Sequence, residues 1–377
     1  MINFDHNATT PLCEEARKAW LQAADQFIGN PSSPHRLGSR AEAALDQARD
    51  QLGAILGCPA LNLVWTSGAT EANNMVIHHL SLTLNPGQEI WVSELEHPCV
   101  LGSARRHFSG RLRCIPSLAS GRIDLDWLQV ELSRKVPGLV AVMAANNETG
   151  VLQPWREIAE LCRAHGVPYF CDAAQWFGKL AGEGLGECDY LSGCAHKFGG
   201  PNGVGFLKCP EEGSLKSLFS GGQQESGRRP GTENLAGAVS LVAALEGHEG
   251  RLRNGGVVTE RLGWRRQFEE RLQGELPGIR ILGDGVDRLW NTISVVMPET
   301  DRRLRWVVKL DKAGYAVSTG SACASGKEEP SHVLAAMGIE PAAAGRALRF
   351  SSGWETEQAD WTNLGHAIKN IWQEHSE

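Results

Sequence analysis

Short apolar runs alternate along the chain with stretches of helical period. Residues 62–67 (NLVWTS), 89–94 (EIWVSE), 113–118 (RCIPSL), 139–146 (LVAVMAAN), 167–172 (VPYFCD), 188–193 (CDYLSG) and 204–209 (VGFLKC) read as strands. Between several of them lie amphipathic patterns such as 123–133 (IDLDWLQVELS) and 155–166 (WREIAELCRAHG), which predict helices. This alternation predicts an α/β architecture with a mainly parallel central sheet. From Glu233 to about Gly274 the pattern is mostly helical with glycine breaks; beyond it, 291–298 (NTISVVMP), 303–314 (RLRWVVKLDKAG), 316–323 (AVSTGSAC) and 347–353 (ALRFSSG) mix strands and helices again. The chain ends in an amphipathic helical pattern over 357–375. We expect a large domain over residues 13–250 and a smaller α/β domain formed by residues 1–12 and 251–377, because 377 residues exceed what one hydrophobic core usually serves.

Composition and charge narrow the partners. Content that is 42% hydrophobic and 21% charged is that of a globular protein. A net charge of −7 with no basic run gives a nucleic-acid backbone or an anionic membrane nothing to hold, so the expected partner is a small molecule or another protein. The opening MINFDHNATTPLCEEARKAW lacks the basic and apolar regions of a secretory signal, and no later run reaches the length of a membrane span, so a cytoplasmic protein is expected. Its ten cysteines are scattered without a CxxC pair, which predicts reduced thiols, most of them buried, and neither a disulfide framework nor a metal site.

In open α/β sheets, ligands collect beyond the carboxyl ends of the strands. The residues just past the predicted strands are Thr66 to Glu71 (TSGATE), then His97, Asn146 and Asn147, Asp172 and Gln175, and finally His196 and Lys197. Each has an ordinary structural reading: Thr70 as a helix cap, His97 as a turn residue before Pro98, Asp172 as a cap, Lys197 as a solvated charge. Together they form a phosphate cradle at a helix start, an aromatic plate that can carry a proton, an acid and an amine. That set predicts pyridoxal 5'-phosphate, whose aldehyde needs an amine, whose ring nitrogen needs a carboxylate and whose phosphate needs N–H donors. A nicotinamide site fits less well, since no GxGxxG follows an early strand.

The segments FDHNATTP, GNPSSPHRLG, TSGATEANN, ELEHPCV, NNETGVLQP, CDAAQ, AHKFGGPNGVG, GRRPGTEN, STGSACASG and ALRFSSG follow one another nearly end to end. In that order the sequence resembles the cysteine desulfurases of the NifS and IscS type, within the class V aminotransferase family of fold-type I pyridoxal-phosphate enzymes. The resemblance implies that Lys197 is the Schiff-base lysine with His196 beside it, that Ala69 and Thr70 hold the phosphate, and that His97 stacks on the ring and shuttles protons. It further implies that Asp172 pairs with the ring nitrogen, that Gln175 and Asn147 lie around the ring oxygen, and that Arg349 clamps the substrate carboxylate. Thr232 matches a threonine reaching the phosphate of a neighbouring subunit, which implies a homodimer. Cys323, in a loop of small residues, matches the thiol that takes sulfur from L-cysteine as a persulfide, leaves L-alanine, and passes sulfur to an acceptor protein for iron–sulfur cluster assembly or thiolation.

Some positions depart from the pattern. Cys194 stands where a phosphate-binding serine is usual, which weakens or alters that contact. Asn202 replaces a lysine, Ser226 an arginine and Trp354 an arginine, at places expected to lie near acceptor-facing surfaces. A selenocysteine lyase, another class V enzyme, and a non-enzymatic persulfide relay are the alternative readings.

Overall fold

The computed structural model describes residues 1–210, 215–300, 304–319 and 331–375. Its largest element is a seven-stranded sheet in the order Leu63–Thr66, Gly205–Lys208, Tyr190–Cys194, Tyr169–Asp172, Val140–Ala141, Ile90–Ser93, Leu112–Ile115. Gly205–Lys208 runs antiparallel to both its neighbours and the other pairings are parallel. The fold is thus α/β with a mainly parallel central sheet, as the alternation predicts. Period-two patterning sends Trp65, Trp91, Tyr169, Cys171 and Phe206 to the core on one face and Val64, Val92, Phe170, Tyr190 and Leu207 to the core on the other. A sheet covered on both faces explains why its strands read as unbroken apolar runs.

One strand is shorter than its apolar run suggests. Of residues 139–146 only Val140–Ala141 pairs on both sides. Toward Tyr169–Asp172 the ladder continues, since the amides of Val142 and Ala144 donate to the carbonyls of Phe170 and Asp172 at 3.1 and 2.9 Å. On the other side the Met143 amide donates to Glu96 Oε1 at 2.6 Å, so a side chain takes the place of the neighbouring strand.

A second sheet is antiparallel, with Thr292–Val296 between Ala347–Ser351 and Arg280–Ile281. Phe4, Phe268, Ile293, Val295, Phe350 and Trp361 form its core, which the helices Gly256–Glu275 and Gln358–Gln373 help to enclose. A reciprocal capping box between Glu357 and Asp360 starts the last helix. The amino terminus joins the two sheets. Ile2–Asn3 pairs with Tyr315–Ala316, the Ser351 amide donates to the Phe4 carbonyl at 2.7 Å, and the Thr10 amide reaches the His196 carbonyl at 2.8 Å.

Trp354 corrects an expectation. It is half-buried, its ring stacks on His248 at 5.7 Å, and its Nε1 donates to the Gly178 carbonyl at 2.8 Å. Arg261 lies over Trp264, Trp290 and Trp354 and donates to the Trp354 carbonyl. The position where the family pattern has an arginine is here a packed aromatic joint between loops. Asn202 and Ser226 are exposed, and Asn202 lines the cavity described below.

The loop before Thr232 is held by a buried acid. Glu225, 6% exposed, accepts from Arg49 Nη1 and Nη2 at 2.7 and 2.9 Å and from the Trp65 amide at 3.1 Å. It does so from the left-handed region, at φ 52°. Glu225→Ala strands the Arg49 guanidinium in a buried site, and a loss of about 3–5 kcal/mol is expected. The check is a urea midpoint for both proteins; an unchanged midpoint would show that the pair contributes nothing.

Candidate active site

The strand Tyr190–Cys194 ends in a single 3-10 turn, Ala195–Lys197, which swings Lys197 beyond the carboxyl edge of the sheet. Lys197 Nζ donates to the carbonyls of Asn7 and Ala8 at 2.6 and 2.8 Å. The turn is fixed to the amino-terminal segment, because the His196 carbonyl accepts from Thr10 Oγ1 at 2.9 Å as well as from its amide. Burial, and after it the charges of Lys197 and Lys179, lower the His196 ring to about 4. That ring is therefore neutral near pH 7, with Nδ1 3.2 Å from Thr9 Oγ1.

Asp172 ends the next strand of the sheet. Its Oδ2 accepts from Asn73 Nδ2 at 2.7 Å and its Oδ1 from the Ala174 amide at 2.9 Å, so both oxygens are oriented before any ligand arrives. Glu96 is nearby and wholly buried; burial, then the Asp172 charge, push its carboxyl well above the usual range. His97 caps the helix Pro98–His107, its Nδ1 accepting the Cys99 amide at 3.2 Å with Cys99 Sγ 2.9 Å away. In that arrangement the neutral ring carries its proton on Nε2. Burial lowers the His97 pKa, against the raising effect of Asp172.

The chain leaves Leu63–Thr66 through Gly68, at φ 154°, and enters the helix Ala69–Thr83. Ser67 donates its amide to Glu71 Oε2 at 2.7 Å, which fixes the turn. A Cβ on Gly205 would lie 2.7 Å from Gly68 Cα, so glycine is required for the neighbouring strand to pass this turn. Cys194 is buried behind the helix start, with the Ala69 amide directed at its sulfur; burial pushes the thiol up to about 11. It is a neutral, weak donor where the family pattern has a hydroxyl.

Arg349 comes from the middle of Ala347–Ser351 and is 2% exposed. Its Nη1 donates to the Asn147 carbonyl at 2.8 Å and its Nη2 pairs with Asp5 Oδ1 at 2.6 Å. Asn146 shapes the turn that presents Asn147 and Glu148, since its Oδ1 accepts the amides of Glu148 and Thr149, both at 2.9 Å.

Ala69, Thr70, His97, Asn147, Asp172, Gln175, Cys194, His196, Lys197 and Arg349 line one cavity of about 900 Å³. Thr232 is exposed and does not line it. Cys323 lies outside the described residues. The strand-end reading missed Asn7, Glu148 and His332, which also line the cavity, and Asp5 and Glu96 behind it. His332 ring nitrogen Nε2 donates to the Glu96 carbonyl at 2.8 Å, and Ser331 Oγ to Glu148 Oε2 at 2.5 Å. The signal for Asp5, Asn7, Glu96 and Glu148 was their place inside the segments FDHNATTP, ELEHPCV and NNETGVLQP; His332 lies outside all of these segments.

Residues 2–364 match the family model described as Aminotransferase class-V. A cysteine desulfurase from Klebsiella pneumoniae is 37% identical over 374 residues, covering 95% of this chain and 89% of that protein. Among solved structures, a NifS-like protein superposes with a TM-score of 0.88 at 27% identity, over 99% of both chains. A structure titled SspA in complex with cysteine has a TM-score of 0.79 at 29% identity, over 93% of this chain and 98% of that one. With a strand-end lysine, acid, histidine and arginine around one cavity and a match along almost the whole chain, this protein belongs to the aminotransferase class-V family and to the cysteine desulfurases within it.

Proposed function

We propose that this protein is a pyridoxal 5'-phosphate-dependent cysteine desulfurase, a reading carried by the convergence of Lys197, Asp172 and Arg349 on one cavity. The residues present fit the cofactor: a primary amine at the cavity wall, a carboxylate already fixed on two donors, and the amino end of the fifteen-residue helix Ala69–Thr83. When bound, the cofactor supplies an aldehyde that condenses with amines and a ring that draws electrons from the substrate's α carbon.

The protein's own residues have separate tasks. Lys197 would hold the cofactor covalently and yield its place to the substrate amine. Asp172 would keep the ring nitrogen protonated, and Ala69 and Thr70, with Cys194 behind them, would hold the phosphate. His97 would lie on the ring face and handle protons through Nε2. Gln175, Asn147 and His196 would surround the ring oxygen and the lysine, while Arg349, its Nη2 held by Asp5, would take the carboxylate of L-cysteine. Cys323, as thiolate, would attack the substrate sulfur. The carbon–sulfur bond then breaks with its electron pair passing to the substrate carbon, which is protonated and leaves as alanine, while the sulfur stays on Cys323 as a persulfide.

Three coarser features extend the reading. Exposed Ile28, Leu37, Leu61 and Phe219, and an exposed Thr232, support a homodimer in which Thr232 reaches the partner's phosphate. The core built on Phe4, Phe268 and Trp361 supports residues 1–12 and 251–377 as a small domain beside a large domain of residues 13–250. The nine described cysteines are free thiols, which supports a reducing, cytoplasmic setting and delivery of sulfur to an acceptor protein.

The test is to add L-cysteine and a reductant and measure alanine and sulfide, with Cys323→Ala alongside. The variant should keep the visible absorbance of the bound cofactor and still change it on adding cysteine, yet form neither alanine nor persulfide. Full desulfuration by the variant would remove Cys323 from the chemistry; loss with cysteine but turnover of selenocysteine would identify it as the sulfur-specific nucleophile.

A further inference from the structure

We propose that Lys179 is a positioning residue that holds the side-chain amide of Gln175 with its nitrogen toward the cofactor cavity. This rests on the cofactor reading above and assigns a residue to which that reading gives no task. Lys179 follows Asp172 by seven positions, beyond the turn that carries Gln175, and is 4% exposed. Its Nζ donates to Gln175 Oε1 at 2.8 Å and to the Gln175 carbonyl at 3.2 Å. Gln175 Nε2 in turn donates to the Asn7 carbonyl at 3.0 Å, the same oxygen that accepts from Lys197 Nζ at 2.6 Å.

The orientation of a glutamine amide usually has to be inferred from its neighbours, and here both neighbours agree. An amine carrying protons presents donors, so the atom facing Lys179 is the amide oxygen. A backbone carbonyl only accepts, so the atom facing Asn7 is the amide nitrogen. Lys179 therefore removes the alternative in which Gln175 turns its oxygen inward. An N–H turned toward the cavity favours an anionic oxygen on a ligand; an inward oxygen would favour its protonated form.

A buried cation in this place needs a reason. The Lys179 backbone is already anchored, since its carbonyl accepts from Trp290 Nε1 at 2.9 Å, and an apolar side chain would fill the same space without the cost of burying an amine. Burial lowers its pKa to about 7, with the charges of Lys197 and Arg349 acting in the same direction and Cys194 against. His6, His196 and His248 also lie within electrostatic range of it. Whether charged or neutral, the group keeps N–H donors for Gln175, so the hold persists across that titration.

The test uses the protein loaded with pyridoxal 5'-phosphate and reads the pH midpoint of its visible absorbance, together with cofactor affinity. In Lys179→Met the midpoint should rise by about one pH unit, the tenfold change in proton affinity expected when a donor to an anionic oxygen is lost. Gln175→Leu should raise it similarly, and adding Lys179→Met to Gln175→Leu should change the midpoint no further. Lys179→Gln, which retains a donor for Gln175 Oε1, should keep the wild-type midpoint and provides the test if the methionine variant does not fold. An unshifted midpoint in Lys179→Met with a lower melting temperature would make Lys179 a structural residue only. An equal shift in the Gln175→Leu background would mean that it acts by its charge, and either result overturns the assignment. A wild-type protein that develops no visible band with pyridoxal 5'-phosphate would instead refute the cofactor reading itself.

Discussion

Lys197→Ala should give a folded protein that turns over no cysteine and holds no covalent cofactor. The amine is half-buried at the end of a short turn, and its contacts are with the carbonyls of Asn7 and Ala8 and not with a packed apolar core. Truncation therefore removes little buried apolar area, and the stability change should stay within about 1 kcal/mol. The chemistry, by contrast, has no substitute close by. Lys179 is held on Gln175 by two hydrogen bonds and His196 is a neutral imidazole. The measurements are circular dichroism for the fold, the visible band that a covalently held pyridoxal 5'-phosphate gives, and alanine formation. Normal alanine release would show that another amine carries the reaction and would remove Lys197 from the site.

Asp172→Ala should keep the cavity and lose most of the rate. Its carboxylate is held by Asn73 and by the Ala174 amide, so on the proposed assignment it would not have to reorganise to meet a cofactor's ring nitrogen. Without it, on that assignment, the ring nitrogen would lose the partner that keeps it protonated. Turnover should fall by about 10²- to 10³-fold, the size usual for removing one preorganised electrostatic group. Glu96 cannot take over: burial holds its proton on, and its Oε1 is committed to the Met143 amide. The check is the steady-state rate of alanine formation at saturating cofactor. A rate within a factor of a few of the wild type would mean that a different acid faces the ring nitrogen.

The alternation of apolar and amphipathic runs made the architecture and strand ends legible, because a sheet buried on both faces needs unbroken apolar strands and its ligands gather at one edge. Residues placed by that edge, from Ala69 to Lys197, could be listed in advance. Residues that act from behind could not. Asp5 meets Arg349 across 344 positions, and nothing in the sequence sets Lys179 apart from a surface charge until its burial is seen. The length of the strand at Val140–Ala141 was equally hidden, since it depends on where the Glu96 carboxyl falls. Trp354 shows a related limit: an exchange at a position expected near an acceptor-facing surface also changes internal packing, which only its neighbours His248, Trp290 and Arg261 reveal.

The amino-terminal segment that joins the two sheets has a consequence for how the protein is made. Asn7 and Ala8, which hold Lys197, are synthesised long before Arg349, which pairs with Asp5 across 344 positions. A chain emerging from the ribosome can assemble the central sheet once Lys208 is out, since every strand of it lies before that point. It cannot complete the cavity until Arg349 is free as well. The reactive centre thus depends on contacts of the greatest sequence separation, which form slowly and after the bulk of the core. Termination between Lys197 and Arg349 leaves a nascent product with its lysine but without the guanidinium that pairs with Asp5.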